Sequence, residues 1–287
     1  EPADAFVAYC EANGMFIVGH TLVWHEQIGD WVFEHPDGTP RSRNELLAIL
    51  EDHITTIVTR YRGRVDGWDV VNEALADDGS LRESPWSQII GDDYIAHAFN
   101  LARAADPEAG LYYNDYGLES AEKRAGAIRL VQGLQDAGVS VDGIGVQTHM
   151  WMDWPAIGDI EQQIDELGTL TNVMVTELDI GVLKDFPDQG SADVSLRGDG
   201  PGMNPYTEGL PDSVQTALAD RYAAAFSVFH RHRDKITRVT FWGVTDGDSW
   251  RNNWVFPGRT NHPLLFDRDG NPQPAFHSVL AVADKDQ

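Results

Sequence analysis

Six apolar runs of strand length recur along the 287-residue chain, separated by amphipathic stretches of helical period. The runs are MFIVGHT (15–21), GWDVVNE (67–73), GLYYND (110–115), GIGVQTH (143–149), VMVTELD (173–179) and TRVTFWG (237–243). Near-continuous apolar character marks strands buried on both faces, as in a parallel sheet covered by helices. The helical stretches fall at 44–61, 94–105, 121–137, 160–167, 214–232 and 275–283. In the first of them Leu46, Leu47, Ile49, Leu50, Ile54, Ile57 and Val58 keep helical spacing, and Ser42 with Glu45 predicts a capping box at its start. The pattern predicts an α/β fold, a (β/α)₈ TIM barrel of which about six β/α units are visible. Every run carries its polar residues at the C-terminal end, the end at which such a barrel holds its active site. A doubly wound sheet would instead gather its ligand at a Gly-rich phosphate loop after a strand, and no run is followed by one.

Two runs end in a glutamate, Glu73 in WDVVNEA (68–74) and Glu177 in VMVTELD. A pair of carboxylates at strand ends is what acid-assisted cleavage of a glycosidic bond requires: one group protonates the leaving oxygen, and the other attacks or activates water. Asn72 precedes Glu73 and can offer an amide hydrogen to a sugar hydroxyl. Glu177 and Asp179 are two apart, as are Gln147 and His149 on the preceding strand, so each pair shares a face. An Asp179–His149–Glu177 hydrogen-bond chain then becomes feasible and would hold Glu177 ionised and fixed in direction. Among Trp24, Trp242, Trp250 and Tyr116 several sit at different strand ends, where aromatic faces can stack on sugar rings. His20 and His25 lie five apart with no third ligand at suitable spacing, so neither a metal nor any other cofactor is expected.

Composition narrows the partners. Acidic residues number 46 against 21 basic ones, a net charge of −25, and only four of the basic residues are lysines. Such a field repels nucleic acid and anionic membranes, so neither is expected as a partner. Scarce lysine with abundant aspartate resembles proteins from salt-rich habitats, where screening relieves self-repulsion. Cys10 is the single cysteine, which leaves no internal disulfide and no thiolate metal cluster. The N-terminus shows no basic region followed by an apolar stretch, so no signal peptide is read in this chain.

GHTLVWH (19–25), WDVVNE (68–73), YYNDY (112–116), GVQTH (145–149), VTELD (175–179), FWGVTDGDSW (241–250) and the closing QPAFHSVL (273–280) together resemble glycoside hydrolase family 10, the endo-β-1,4-xylanases. The resemblance covers essentially the whole chain. It implies a retaining endo-β-1,4-xylanase with Glu73 as acid/base and Glu177 as nucleophile, supported by His149 and Asp179. It also implies sugar contacts from His20, Trp24, Gln27, Asn72, Asn114, Tyr116, Gln147, Trp242 and Trp250, with His25 as a supporting residue. The expected substrate is xylan or xylo-oligosaccharides, acted on by a secreted monomer. A retaining β-1,4-glucanase and a carbohydrate-binding barrel without turnover stand as alternatives. Against the family pattern the chain begins in the helix before the third strand. It therefore reads as a single catalytic domain over 1–287, N-terminally incomplete, with open sheet edges expected at 15–21 and 237–243. A long β/α loop is expected over 184–212, and Glu26 stands where a small polar residue is usual.

Overall fold

A computed structural model describes residues 2–183, 203–254 and 257–283. In chain order its elements are α1 (Pro2–Ala12), β1 (Val18–Val23), α2 (Arg43–Arg60), β2 (Gly67–Asn72), α3 (Pro85–Ile89), α4 (Tyr94–Ala105), β3 (Gly110–Asp115), α5 (Ala121–Asp136), β4 (Gly143–Val146), β5 (His149–Trp151), α6 (Ile157–Leu167), β6 (Asn172–Gly181), α7 (Asp212–Arg231), β7 (Ile236–Phe241) and α8 (Pro274–Ala283). Two compact units divide the chain, one of residues 1–146 and 166–174 and one of 147–165 and 175–287.

In the first unit β1, β2, β3 and β4 pair side by side, all parallel, with Gly19 opposite Trp68, Trp68 opposite Leu111 and Tyr112 opposite Gly143. β2 is buried along its whole length, which is why its sequence is mostly apolar, with Asp69 and Asn72 as its polar residues. Helix α2 lays Leu46, Leu50, Ile54 and Val58 into this core, all fully buried. Ser42 and Glu45 form the capping box their spacing predicts, each side chain accepting from the other's backbone N–H. Gly19 has a steric reason: a Cβ there would lie 2.1 Å from the ring of Trp68.

In the second unit β6 pairs in parallel with β5, His149 opposite Asp179, and the N–H of Trp242 after β7 donates to the carbonyl of Leu178. Val175, Leu178 and Ile180 of β6 are fully buried, and α7 contributes Leu218, Tyr222, Ala225 and Val228 to the same core.

The strands fall where the apolar runs predict, with three departures. The run 143–149 is not one strand, because Thr148 adopts φ 60 and splits it into β4 and β5. Helix α3 was not anticipated, although Ser84 caps it and Pro85 opens it. Of the loop expected over 184–212, residues 184–202 lie outside the described residues; Met203 and Leu210 are buried, and Asp212 already begins α7. The strands expected at open edges, β1 and β7, are each buried only in part.

Candidate active site

Glu73 leaves the end of β2 with φ 57, a left-handed conformation that non-glycine residues hold only when their surroundings fix it. Its N–H donates to the carbonyl of Asn114 on the neighbouring β3 at 2.8 Å. The side chains of Trp24 and Asn72 meet its carboxyl group. The Trp24 indole N–H donates to Oε2 at 2.9 Å, and the Asn72 amide donates to Oε1 at 3.2 Å. Asn114 in turn donates to Oδ1 of Asn72 at 2.9 Å. Trp24 is itself held through its carbonyl, which accepts from the indole of Trp86. Three residues expected to meet the sugar thus serve Glu73 directly or at one remove.

His20 faces Asp69, with Nδ1 and Oδ2 3.0 Å apart, and its ring lies 6.4 Å from that of Trp24. The His25 ring stands edge-on to that of Trp24, centroids 6.3 Å apart. Burial first, then the positive charge of Arg82, lowers its pKa, which fits a neutral supporting ring. Gln27 lies exposed on the following loop, itself at φ 52.

The second unit carries a carboxyl cluster of its own. Glu177 lies at the centre of β6, 5% exposed, with its N–H donating to the carbonyl of Gln147. His149 Nε2 lies 3.2 Å from Glu177 Oε2, and its Nδ1 lies 2.9 Å from Asp179 Oδ1. A neutral imidazole could donate to one carboxylate only, so the two contacts call for the imidazolium. Burial alone would lower the His149 pKa, but the charge of Asp179 and the hydrogen bonds to both carboxylates outweigh it and raise it to about 9. Asp179 is fully buried; burial works against its charge, yet His149 and Arg251 bring its pKa down to about 2. It also accepts from the Trp250 indole at 2.7 Å and from Arg251 Nε at 2.9 Å. The Arg251 guanidinium stacks 4.4 Å from the Trp151 ring. Trp242 follows β7 and is half-buried.

The Asp179–His149–Glu177 chain foreseen from period-two spacing is formed, though not by a straight strand. The left-handed turn at Thr148 comes between Gln147 and His149, so the register that sets His149 beside Asp179 belongs to β5 rather than β4. Two residues escaped the sequence reading: Arg82, whose guanidinium reaches the Glu73 carbonyl at 3.0 Å, and Arg251. Neither carries a local signal, since their partners follow from loop conformation and, for Arg251, from a separation of 72 residues.

The elevated pKa of His149 has a measurable consequence. Its stabilising contribution is complete below pH about 6.5, the ordinary imidazole value, and is lost as pH rises through about 9. Denaturant unfolding across that window is expected to show the wild type weakening with pH and a His149→Asn variant following a flatter course. Equal slopes would remove His149 as the source.

The chain matches the model of glycosyl hydrolase family 10 over residues 1–282. It is 40% identical over 282 residues to endo-1,4-β-xylanase A of Xylanibacter ruminicola, covering 98% of this chain and 76% of that protein. An endo-1,4-β-xylanase of Geobacillus stearothermophilus is 43% identical over 267 residues, covering 92% of this chain and 76% of that protein. Among solved structures, a family 10 endoxylanase retrieved from a sugarcane soil metagenome superposes with a TM-score of 0.92 at 43% identity, covering 98% of this chain and 80% of that one. The (β/α)₈ class read from the alternation of strands and helices is the fold these matches share.

Proposed function

The chain belongs to glycosyl hydrolase family 10, and from that premise we propose how its endo-1,4-β-xylanase activity is divided between Glu73 and Glu177. Xylan, a neutral polymer, is the substrate, and its internal β-1,4 bonds are cut with retention of configuration. Glu73 protonates the glycosidic oxygen while Glu177 attacks the anomeric carbon. Glu73 then takes a proton from water, which releases the sugar from Glu177. The observation that carries this division is the contrast between the two carboxyl groups. Glu177 lies against an imidazolium that a buried aspartate holds in place, a setting that aims its carboxyl group. Glu73 accepts instead from the Trp24 indole and the Asn72 amide at the end of β2. A polymer too large to enter cells also makes a secreted site of action part of the proposal; no helix among the described residues is long and apolar enough to cross a membrane.

Proton NMR recorded immediately after xylo-oligosaccharide is mixed with enzyme tests the mechanism. The β-anomer of the new reducing end is expected first, with the α-anomer growing in by mutarotation. An α-anomer that leads would overturn the covalent route.

A further inference from the structure

Glu73 is followed by a tight excursion that folds back beside it. Leu75 and Leu81 form an antiparallel bridge, the N–H of Ala76 donates to the carbonyl of Ser80, and that of Arg82 donates to the carbonyl of Ala74. The tip is pressed on α5: a Cβ at Gly79 would lie 2.3 Å from the Glu122 carbonyl oxygen, and one at Gly126 would lie 2.4 Å from that of Gly79. The Arg129 guanidinium also donates to the Gly79 carbonyl at 3.1 Å. The return strand therefore has little freedom, and it brings Arg82 to the base of Glu73.

Arg82 donates from Nε to the Glu73 carbonyl at 3.0 Å and from Nη2 to the Leu75 carbonyl at 2.8 Å. Nη2 also donates to the Tyr116 hydroxyl at 2.9 Å. Tyr116 is in turn fixed from two other directions. Its N–H donates to Asp115 Oδ1 at 2.9 Å, and the Lys123 ammonium lies 3.4 Å from its ring centroid. Lys123 and Asp115 are almost wholly buried and pair at 3.0 Å, with the Tyr113 hydroxyl donating to the same carboxylate. One face of the Tyr116 ring is thus occupied by an ammonium group, which leaves that face no room to stack on a sugar.

We propose that Arg82 is a positioning residue for Glu73, and that Tyr116 acts as the strut holding Arg82 in place. The inference rests on the assignment of Glu73 as acid/base. The left-handed backbone at Glu73 is bracketed by its N–H on Asn114 and its carbonyl on Arg82. Releasing the carbonyl lets the peptide relax, and the carboxyl group swings away from Trp24, Asn72 and the glycosidic oxygen. The ring of Tyr116, expected from sequence to face substrate, then serves the reaction through the backbone of Glu73.

Leaving-group dependence separates this role from a sugar contact. Cleavage of xylan needs a proton on a poor leaving group, whereas a dinitrophenolate departs without one. Arg82→Met and Tyr116→Phe are therefore compared with wild type for kcat/KM on soluble xylan and on 2,4-dinitrophenyl β-xylobioside. The loss on xylan is expected to exceed the loss on the aryl substrate by roughly tenfold or more, a part of the roughly 10²–10⁴-fold that general acids contribute. Arg82→Lys, which keeps a donor and the charge, is expected to recover part of it. Equal losses on both substrates, or none on either, would overturn the inference. Tyr116→Phe removes only a hydroxyl and keeps the test decisive should Arg82→Met fold poorly. Glu73→Ala, assayed in parallel, separates the two assignments. If it cleaves xylan like wild type, the acid/base reading falls; if it alone shows the split, only the role of Arg82 and Tyr116 falls.

Discussion

Glu177→Gln is expected to lower kcat on xylan by roughly 10⁴–10⁶-fold, the scale seen when a covalent nucleophile is removed from an intact constellation. The substitution is isosteric, and the amide oxygen can still accept from His149, so the loss reads on chemistry rather than on folding. It should also abolish covalent labelling. A fluorinated xylobioside with a good leaving group should add one glycosyl mass to the wild type and none to the variant. Undiminished hydrolysis by the glutamine variant would eliminate Glu177 as the attacking group, whatever its surroundings.

The second large effect is expected from Arg251→Met. Asp179 is fully buried and Arg251 is 2% exposed, so removing the guanidinium leaves a carboxylate without solvent to replace it. Breaking a buried ion pair by deleting one partner costs about 3–5 kcal/mol. His149 and the Trp250 indole remain on Asp179 and set the lower end of that range. The variant also vacates the space over the Trp151 ring and the contact with the Met150 carbonyl, which adds to the loss. Urea titration at neutral pH measures it. A loss under about 1 kcal/mol, typical of a surface pair, would mean that the imidazolium alone compensates Asp179.

What could be read from sequence follows the range over which each signal acts. Strand runs and helix periods are local, and so is the capping box of Ser42 and Glu45; all appear where their residues place them. The parallel class follows from the same runs, because strands as buried as β2 and β6 leave no polar face to alternate. Partners within the candidate site were legible only where strand pairing set them, as with Asp179 and His149. The left-handed break at Thr148 was not, since threonine favours extended structure and gives no sign of the turn. Trp24, Asn114 and Tyr116 are expected to contact sugar, Asn114 on the family resemblance alone. In the fold each also has a partner within the protein, Trp24 with Glu73, Asn114 with Asn72 and Tyr116 with Arg82. Composition carries no record of that engagement. Arg82 and Arg251 could not be picked out from the basic residues of the chain, because their partners depend on tertiary structure.

The burial of Lys123 beneath Tyr116 makes that amine a clock. An ammonium 1% exposed is shielded from acylating reagents until the surrounding loop opens. Lys235, 25% exposed and paired with Asp165 at the surface, should react without any such opening. The ratio of acetylation rates at the two sites, followed by peptide mass spectrometry, would therefore report how often the support behind Glu73 opens in the folded enzyme, without a probe ever being attached there.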